Sequence, residues 1–158
     1  MISAVHDSPV GKLTLTSNGA ALTAIEFENP RYPLPAQPRG DDKITDVARR
    51  QLDLYFAGKL RAFELPLAPQ GTPFQRQVWA ALLKIPYGVT RSYSQQAAAI
   101  GKPAAVRAVG LANGRNPVSI VIPCHRVIGA DGSLTGYGGG MARKQQLLDL
   151  EGARIPIR

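Results

Sequence analysis

Residues 92–128 read SYSQQAAAIGKPAAVRAVGLANGRNPVSIVIPCHRVI. Ser92 or Ser94 is suited to cap a short helix running through Ala99, Gly101-Lys102-Pro103 supplies a turn, and a second helix is predicted from about Ala104 to Leu111. Two short helices joined by a tight glycine-containing turn form the pattern of a helix-turn-helix, whose second member can enter a DNA groove; such pairs also occur in ordinary cores. After Asn116-Pro117, the largely apolar, β-branched run Val118 to Ile122 predicts burial and delivers the chain to Pro123-Cys124-His125-Arg126-Val127.

On the N-terminal side of this stretch, Thr72 is placed as an N-cap and Pro73 as the first residue of a helix. Its apolar stripe is Phe74, Val78, Trp79, Leu82 and Leu83, and Pro86 and Gly88 end it. On the C-terminal side comes a glycine-rich segment, Gly129 to Gly140, then a helix from about Ala142 to Leu150 that precedes Glu151. The first half reads differently. Lys12 to Thr16 and Ala21 to Phe27 show partial period-two alternation around the turn Ser17-Asn18-Gly19, which predicts a hairpin. Four prolines between Asn29 and Gly40 predict an irregular connection. Ile44, Ala48, Leu52 and Tyr55, widened by Val47 and Leu54, predict an amphipathic helix over 43–57, and Ala62 to Leu67 is a candidate strand before the linker Ala68-Pro69-Gln70-Gly71. The expected domains are 1–70 and 71–158.

Charge divides along the same line. Residues 1–71 hold eight Lys/Arg and eight Asp/Glu, whereas residues 72–158 hold eleven and three, so the whole net charge of +8 lies in the second half. A phosphate-binding module beside a neutral scaffold would have this distribution; so would a merely basic, soluble surface. No apolar run approaches the roughly 20 residues that span a bilayer, and His6 and Asp7 stand where a signal peptide needs apolar residues, so the expected setting is cytoplasmic, with no membrane partner.

Cys124 is the only cysteine, which excludes an intramolecular disulfide and a thiolate-rich zinc site, and with His6 and His125 the only histidines no metal is expected. A lone cysteine is commonly a small buried apolar residue. Here it leaves a buried run beside an imidazole, a setting that can hold a nucleophile firmly and favour its thiolate. Glu151 is a candidate to orient His125 if the last helix packs behind it. The glycine-rich segment lacks a P-loop or dinucleotide fingerprint; it reads either as a surface turn or as an open wall for a flat aromatic ligand, with Tyr137 shaping the pocket. A base in a duplex reaches a buried sulfur only by leaving the stack. Arg107, on the second short helix, is placed to fill the vacated space or to face a phosphate, and Tyr93 to offer a ring edge and a hydroxyl or to sit in the core.

The stretch RAVGLANGRNPVSIVIPCHRVIG, residues 107–129, resembles the O6-alkylguanine-DNA alkyltransferases, also called methylated-DNA-protein-cysteine methyltransferases. The order and spacing of RAVG, NP and PCHRV carry the resemblance, supported by Pro73-Phe74-Gln75, Ile85-Pro86-Tyr87-Gly88 and Ser92-Tyr93; it covers most of residues 72–152. The resemblance implies an α/β fold class: a small N-terminal α/β domain of ribonuclease H-like type, and a mostly helical C-terminal domain whose helix-turn-helix is of winged-helix type. It implies single, irreversible transfer of the O6-alkyl group of guanine, and of the O4-alkyl group of thymine, onto Cys124, a single-turnover methyltransferase activity without cofactor or metal. His125 would assist deprotonation through a water, oriented by Glu151, and Asn116 would brace the turn. Tyr93 would contact the flipped guanine and help protonate it as it leaves, and Arg107 would replace it in the stack. Val127, through its carbonyl, Tyr137 and Gly138 would line the pocket, where glycine at 138 widens the wall. The implied partner is double-stranded DNA bearing O6-alkylguanine, bound through the minor groove by a monomer, with cooperative assembly on DNA left open. A damage binder that flips without repair is disfavoured by Cys124, a helix-turn-helix regulator by the lack of a dimerisation segment, and a cysteine protease by the lack of a persuasive triad.

Overall fold

The computed structural model describes residues 1–134, 137 and 140–153. The chain forms two compact units, one made of Met1–Gln70 with Pro117–Ser119, the other of Gly71–Asn116 with Ile120 onward.

The first unit is built on an antiparallel meander of β1 (Ile2–Ser8), β2 (Gly11–Ser17) and β3 (Leu22–Phe27), in the order β1-β2-β3. Leu13 pairs with Phe27 and Leu15 with Ile25, so the alternating apolar residues of β2 and β3 share one buried face. The predicted hairpin is present. Its turn is held by side chains: Asn18 Oδ1 accepts the amides of Ala20 and Ala21, and Gly19 takes the left-handed conformation at φ 90°. Helix α1 (Lys43–Phe56) starts at a capping box in which Asp42 accepts from the Thr45 amide, and Ser17 Oγ donates to Asp42. It ends in a Schellman arrangement, with Gly58 at φ 74° and the Lys59 amide donating to the Leu54 carbonyl. Ala48, Leu52 and Tyr55 are buried against the meander, whereas Leu54, expected in the stripe, is 43% exposed.

Two departures have local causes. β1 is a full strand, pairing from Ile2–Ser17 to Ser8–Gly11, although only Ile2, Ala4 and Val5 mark it in sequence. The candidate strand 62–67 is reduced to one bridge, Leu22 with Leu67; the carbonyl of Pro66 accepts from Leu22, but proline has no amide to extend the ladder. The third neighbour of β3 comes from far along the chain. The Ile25 amide donates to the Pro117 carbonyl and the Ser119 amide to the Ile25 carbonyl, so 117–119 belongs to this unit and not to the unit implied by a boundary at residue 70.

In the second unit, α2 (Pro73–Leu82) opens with the Thr72/Gln75 capping box and proline at its first turn. Leu83, placed in its stripe by spacing, lies past the helix end and is 50% exposed. Ser92, not Ser94, caps α3 (Tyr93–Ala99). After a turn through Gly101 at φ 73°, α4 runs over Val106–Gly114. It begins two residues later than the spacing suggests because Ala105 still closes a turn onto the Lys102 carbonyl, and it passes Gly110 and Gly114 before stopping. Trp79 ties α2 to α4 by donating its indole N–H to the Ala112 carbonyl at 2.9 Å. The last helix, α5, covers Met141–Leu150.

Trp79 also explains Gly71: a methyl group there would collide with the indole ring and lie 2.7 Å from Gln75 Oε1, which serves the α2 cap. Gly71→Ala is expected to cost about 1–3 kcal/mol, as overpacking does. The check is the midpoint of thermal unfolding, and an unchanged Tm would show that the ring yields freely.

Candidate active site

The backbone around Cys124 is bent by three successive devices. Ile120 sits at φ 74°, a conformation that a β-branched residue adopts only under strain, and it is buried. Pro123, at φ −83° and ψ 62°, forms an inverse γ-turn in which the Cys124 amide donates to the Ile122 carbonyl at 2.8 Å. Cys124–Arg126 then make a single 3₁₀ turn and Val127–Ile128 a short strand, β5. β5 lies parallel to β4 (Arg91–Ser92), with Arg91 opposite Val127, which sets the first residue of α3, Tyr93, next to the cysteine turn.

Asn116 braces this bend. Its side-chain amide donates to the Ile122 carbonyl at 2.8 Å and to Cys124 Sγ at 3.2 Å. Cys124 is only 7% exposed. Burial pushes its thiol pKa up, and the Asn116 hydrogen bond and the charge of Lys144 act in the opposite direction without overcoming it. The resting group is therefore a thiol that must lose its proton before it can act as a nucleophile.

A base stands beside it. His125 is fully buried, and its Nε2–H donates to Glu151 Oε2 at 2.8 Å, because a carboxylate can only accept. That contact leaves Nδ1 as the basic nitrogen, and Nδ1 is a buried atom with no hydrogen-bond partner among the described residues. Burial is the largest influence on the ring and lowers its pKa, with Arg126 and Lys144 adding to that and Glu151 opposing it. The imidazole thus rests neutral, with a lone pair available.

Glu151 caps the C-terminal end of α5, where a negative charge opposes the helix dipole. Arg126 compensates with two hydrogen bonds, Nε to Oε1 at 2.8 Å and Nη2 to Oε2 at 3.0 Å, while its Nη1 donates to the Ile85 carbonyl. The Ile85-Pro86-Tyr87-Gly88 turn backs the same group. Tyr87 donates to the Leu150 carbonyl, its ring lies 5.8 Å from the Arg126 guanidinium carbon, and a Cβ on Gly88 would stand 3.3 Å from the Glu151 carbonyl oxygen.

Lys144 is the second cation. It is 1% exposed, donates from Nζ to the Val127 carbonyl at 2.6 Å, and sits about 6 Å from the ring centroids of Tyr93 and Tyr137. Burial holds its pKa down to about 8, partly offset by the Cys124 charge. The Tyr93 hydroxyl is pushed up, first by burial and then by the Cys124 charge, so it keeps its proton.

The fold thus gathers Cys124, Asn116, His125, Glu151, Tyr93, Val127 and Tyr137 into one site. Arg107 stands apart, exposed on the first turn of α4, and Gly138 lies outside the described residues. Sequence reasoning missed Arg126 and Lys144, though one signal was present: Lys144, Leu147, Leu148 and Glu151 fall at i, i+3, i+4 and i+7, placing two charges on the buried stripe of the last helix. Among the described residues no cluster of three or more His, Cys, Asp or Glu could hold a metal ion, and no helix is long and apolar enough to cross a membrane.

Lys144→Met removes the cation that favours the thiolate. At neutral pH, where Lys144 is charged, alkylation of Cys124 by iodoacetamide is expected to slow in the variant, by about tenfold for each unit by which the ammonium favours the thiolate. In the wild type this assistance fades as pH rises through about 8 and Lys144 loses its proton, so the two rates converge at higher pH. An unchanged rate at neutral pH in the folded variant would mean that the ammonium does not act on the sulfur.

Two family models match the chain: 6-O-methylguanine DNA methyltransferase, ribonuclease-like domain, over residues 1–69, and 6-O-methylguanine DNA methyltransferase, DNA binding domain, over residues 73–153. The methylated-DNA--protein-cysteine methyltransferase of Mycobacterium tuberculosis (strain ATCC 25618 / H37Rv) is 53% identical over 151 residues, which is 95% of this chain and 92% of that protein. The protein of the same name from Methanosarcina barkeri is 52% identical over 149 residues, covering 93% and 94%. The crystal structure of M. tuberculosis OGT in complex with DNA superimposes with a TM-score of 0.90 at 51% identity, covering 99% of this chain and 96% of that one. The chain belongs to the 6-O-methylguanine DNA methyltransferase family.

Proposed function

We propose that the protein reverses DNA alkylation by moving the O6-alkyl group of guanine onto Cys124 Sγ, once per molecule. The observation that carries this reading is the buried relay in which the sulfur is braced by Asn116 while the adjacent imidazole, fixed by Glu151, keeps a basic nitrogen unsatisfied. The thiol proton passes to His125 Nδ1, directly or through one water, and Glu151 stabilises the imidazolium. The S–C bond forms as the C–O6 bond breaks. Tyr93, whose hydroxyl stays protonated, donates toward the departing base. A thioether is a poor leaving group, so the cysteine is not regenerated and the protein is consumed.

DNA is the partner of the second unit. Its charge excess, 11 Lys/Arg against 3 Asp/Glu over residues 72–158, suits phosphate contacts. In this reading the exposed Arg107 on α4 takes the place of the flipped nucleotide in the minor groove. The carbonyls of Cys124 and Val127 accept from the guanine amine, the latter held by Lys144, and Tyr137 closes the pocket together with Gly138. The proposed state is a monomer in the cytoplasm, where a reducing pool keeps the lone thiol free, and O4-alkylthymine is a second substrate.

With excess duplex carrying O6-methylguanine, intact mass is expected to rise by one methyl group and stop, with the adduct on Cys124 and absent from Cys124→Ala. Binding of the lesion without adduct would replace this reading with damage recognition alone, and preference for one undamaged sequence with a regulator. Arg107→Ala is expected to slow reaction with duplex about tenfold or more while leaving the reaction with free O6-benzylguanine within about twofold. Equal losses on the two substrates would remove Arg107 from the flipping step.

A further inference from the structure

The interface between α3 and α4 contains a polar contact that the relay around Cys124 does not use. Gln96 and Asn113 are 3% and 5% exposed, and their side-chain amides bond reciprocally: Asn113 Nδ2 donates to Gln96 Oε1 at 2.7 Å, and Gln96 Nε2 donates to Asn113 Oδ1 at 3.0 Å. Two apolar residues would fill the same space without the cost of desolvating two amides. The other buried side chains of the two helices include the small Ala97, Val109 and Ala112, and α4 has no side-chain N-cap bond; the Trp79 indole holds α4 to α2, not to α3. A reciprocal amide pair is satisfied in one register only, because sliding by one residue turns a helical side chain by about 100°.

We propose that the Gln96–Asn113 pair is a register lock that sets α4 on α3, and so places Arg107 relative to Tyr93 for extrusion of the damaged nucleotide; this rests on the role read for Arg107. Tyr93 begins α3 and Arg107 is the second residue of α4, with Gly110 facing the Tyr93 ring between them. Arg107 is six residues before Asn113, about 9 Å along the helix, so a small tilt of α4 at the lock is carried over that lever and displaces the guanidinium. The pair acts on the step that needs the duplex. The Asn116 amide donates to the Asn113 carbonyl, a main-chain bond that needs no particular side chain at 113, and the Asn116 side chain keeps its own anchors on Ile122 and Cys124, so replacing the two amide side chains leaves the brace on the sulfur in place. Gln96 and Asn113 are positioning residues and touch no reacting atom.

The test uses the full chain and two paired variants. Gln96→Met/Asn113→Leu removes both amides together, stranding neither, and Gln96→Asn/Asn113→Gln exchanges them and keeps both. Single-turnover rates are measured with O6-methylguanine duplex and with free O6-benzylguanine, well below each variant's Tm. In the apolar pair the duplex rate is expected to fall about tenfold and the free-base rate by no more than about twofold, while the exchanged pair keeps the wild-type ratio within about threefold. A role in stability alone would lower Tm and leave the ratio of the two rates unmoved. The proposal is overturned if the apolar and exchanged pairs show the same ratio as the wild type. Failure of wild type to react with either substrate would instead overturn the reading of function itself.

Discussion

A single buried carboxylate organises the reactive end of the second unit. Glu151 closes α5, accepts from His125 through one oxygen and from Arg126 through both, and is backed by the Tyr87-Gly88 turn. A charge in such a place is tolerable only while every partner is present, since removing one member of a buried ion pair typically costs ~3–5 kcal/mol. The same contact that keeps the carboxylate stable also fixes the histidine tautomer, so stability and reactivity are served by one arrangement. PCHRV and IPYG are two halves of that arrangement: the first supplies the imidazole and guanidinium, the second the carbonyl and ring that hold the guanidinium in place.

Around the sulfur, opposing influences are set against each other. Desolvation keeps the thiol protonated, which protects it from incidental electrophiles, while Asn116 and Lys144 lessen the penalty for ionising. Lys144 has a divided task. It stabilises negative charge on the sulfur and also holds the Val127 carbonyl. Its own cost of burial is eased by the faces of two tyrosine rings.

How much of this was legible in sequence varies with the kind of signal. The helix pair was readable because Ser92, Gly101 and Pro103 punctuate it chemically, and the cysteine turn because Pro123, Cys124 and His125 have few other uses in that order. Residue-level bounds were less so: proline at 66 silenced a strand whose composition looked right, and β1, with three apolar residues and a histidine, is made a strand by its partner β2. Arg126 and Lys144 went unread because a charged residue is by default a surface residue. Only tertiary packing shows that both point inward, and the convergence of residues 93, 116, 124, 127, 137, 144 and 151 depends on contacts far apart in the chain.

The three residues Pro117, Val118 and Ser119 are borrowed. They pair with β3 of the first unit, and Val118 is fully buried there, although the chain on either side belongs to the second unit. Neither unit is therefore a self-contained module. Excising the first 70 residues would strip the cover from Val118 and leave two main-chain hydrogen bonds without partners, only a few residues upstream of the nucleophile, so a cut at residue 70 disturbs the segment that leads into the cysteine turn.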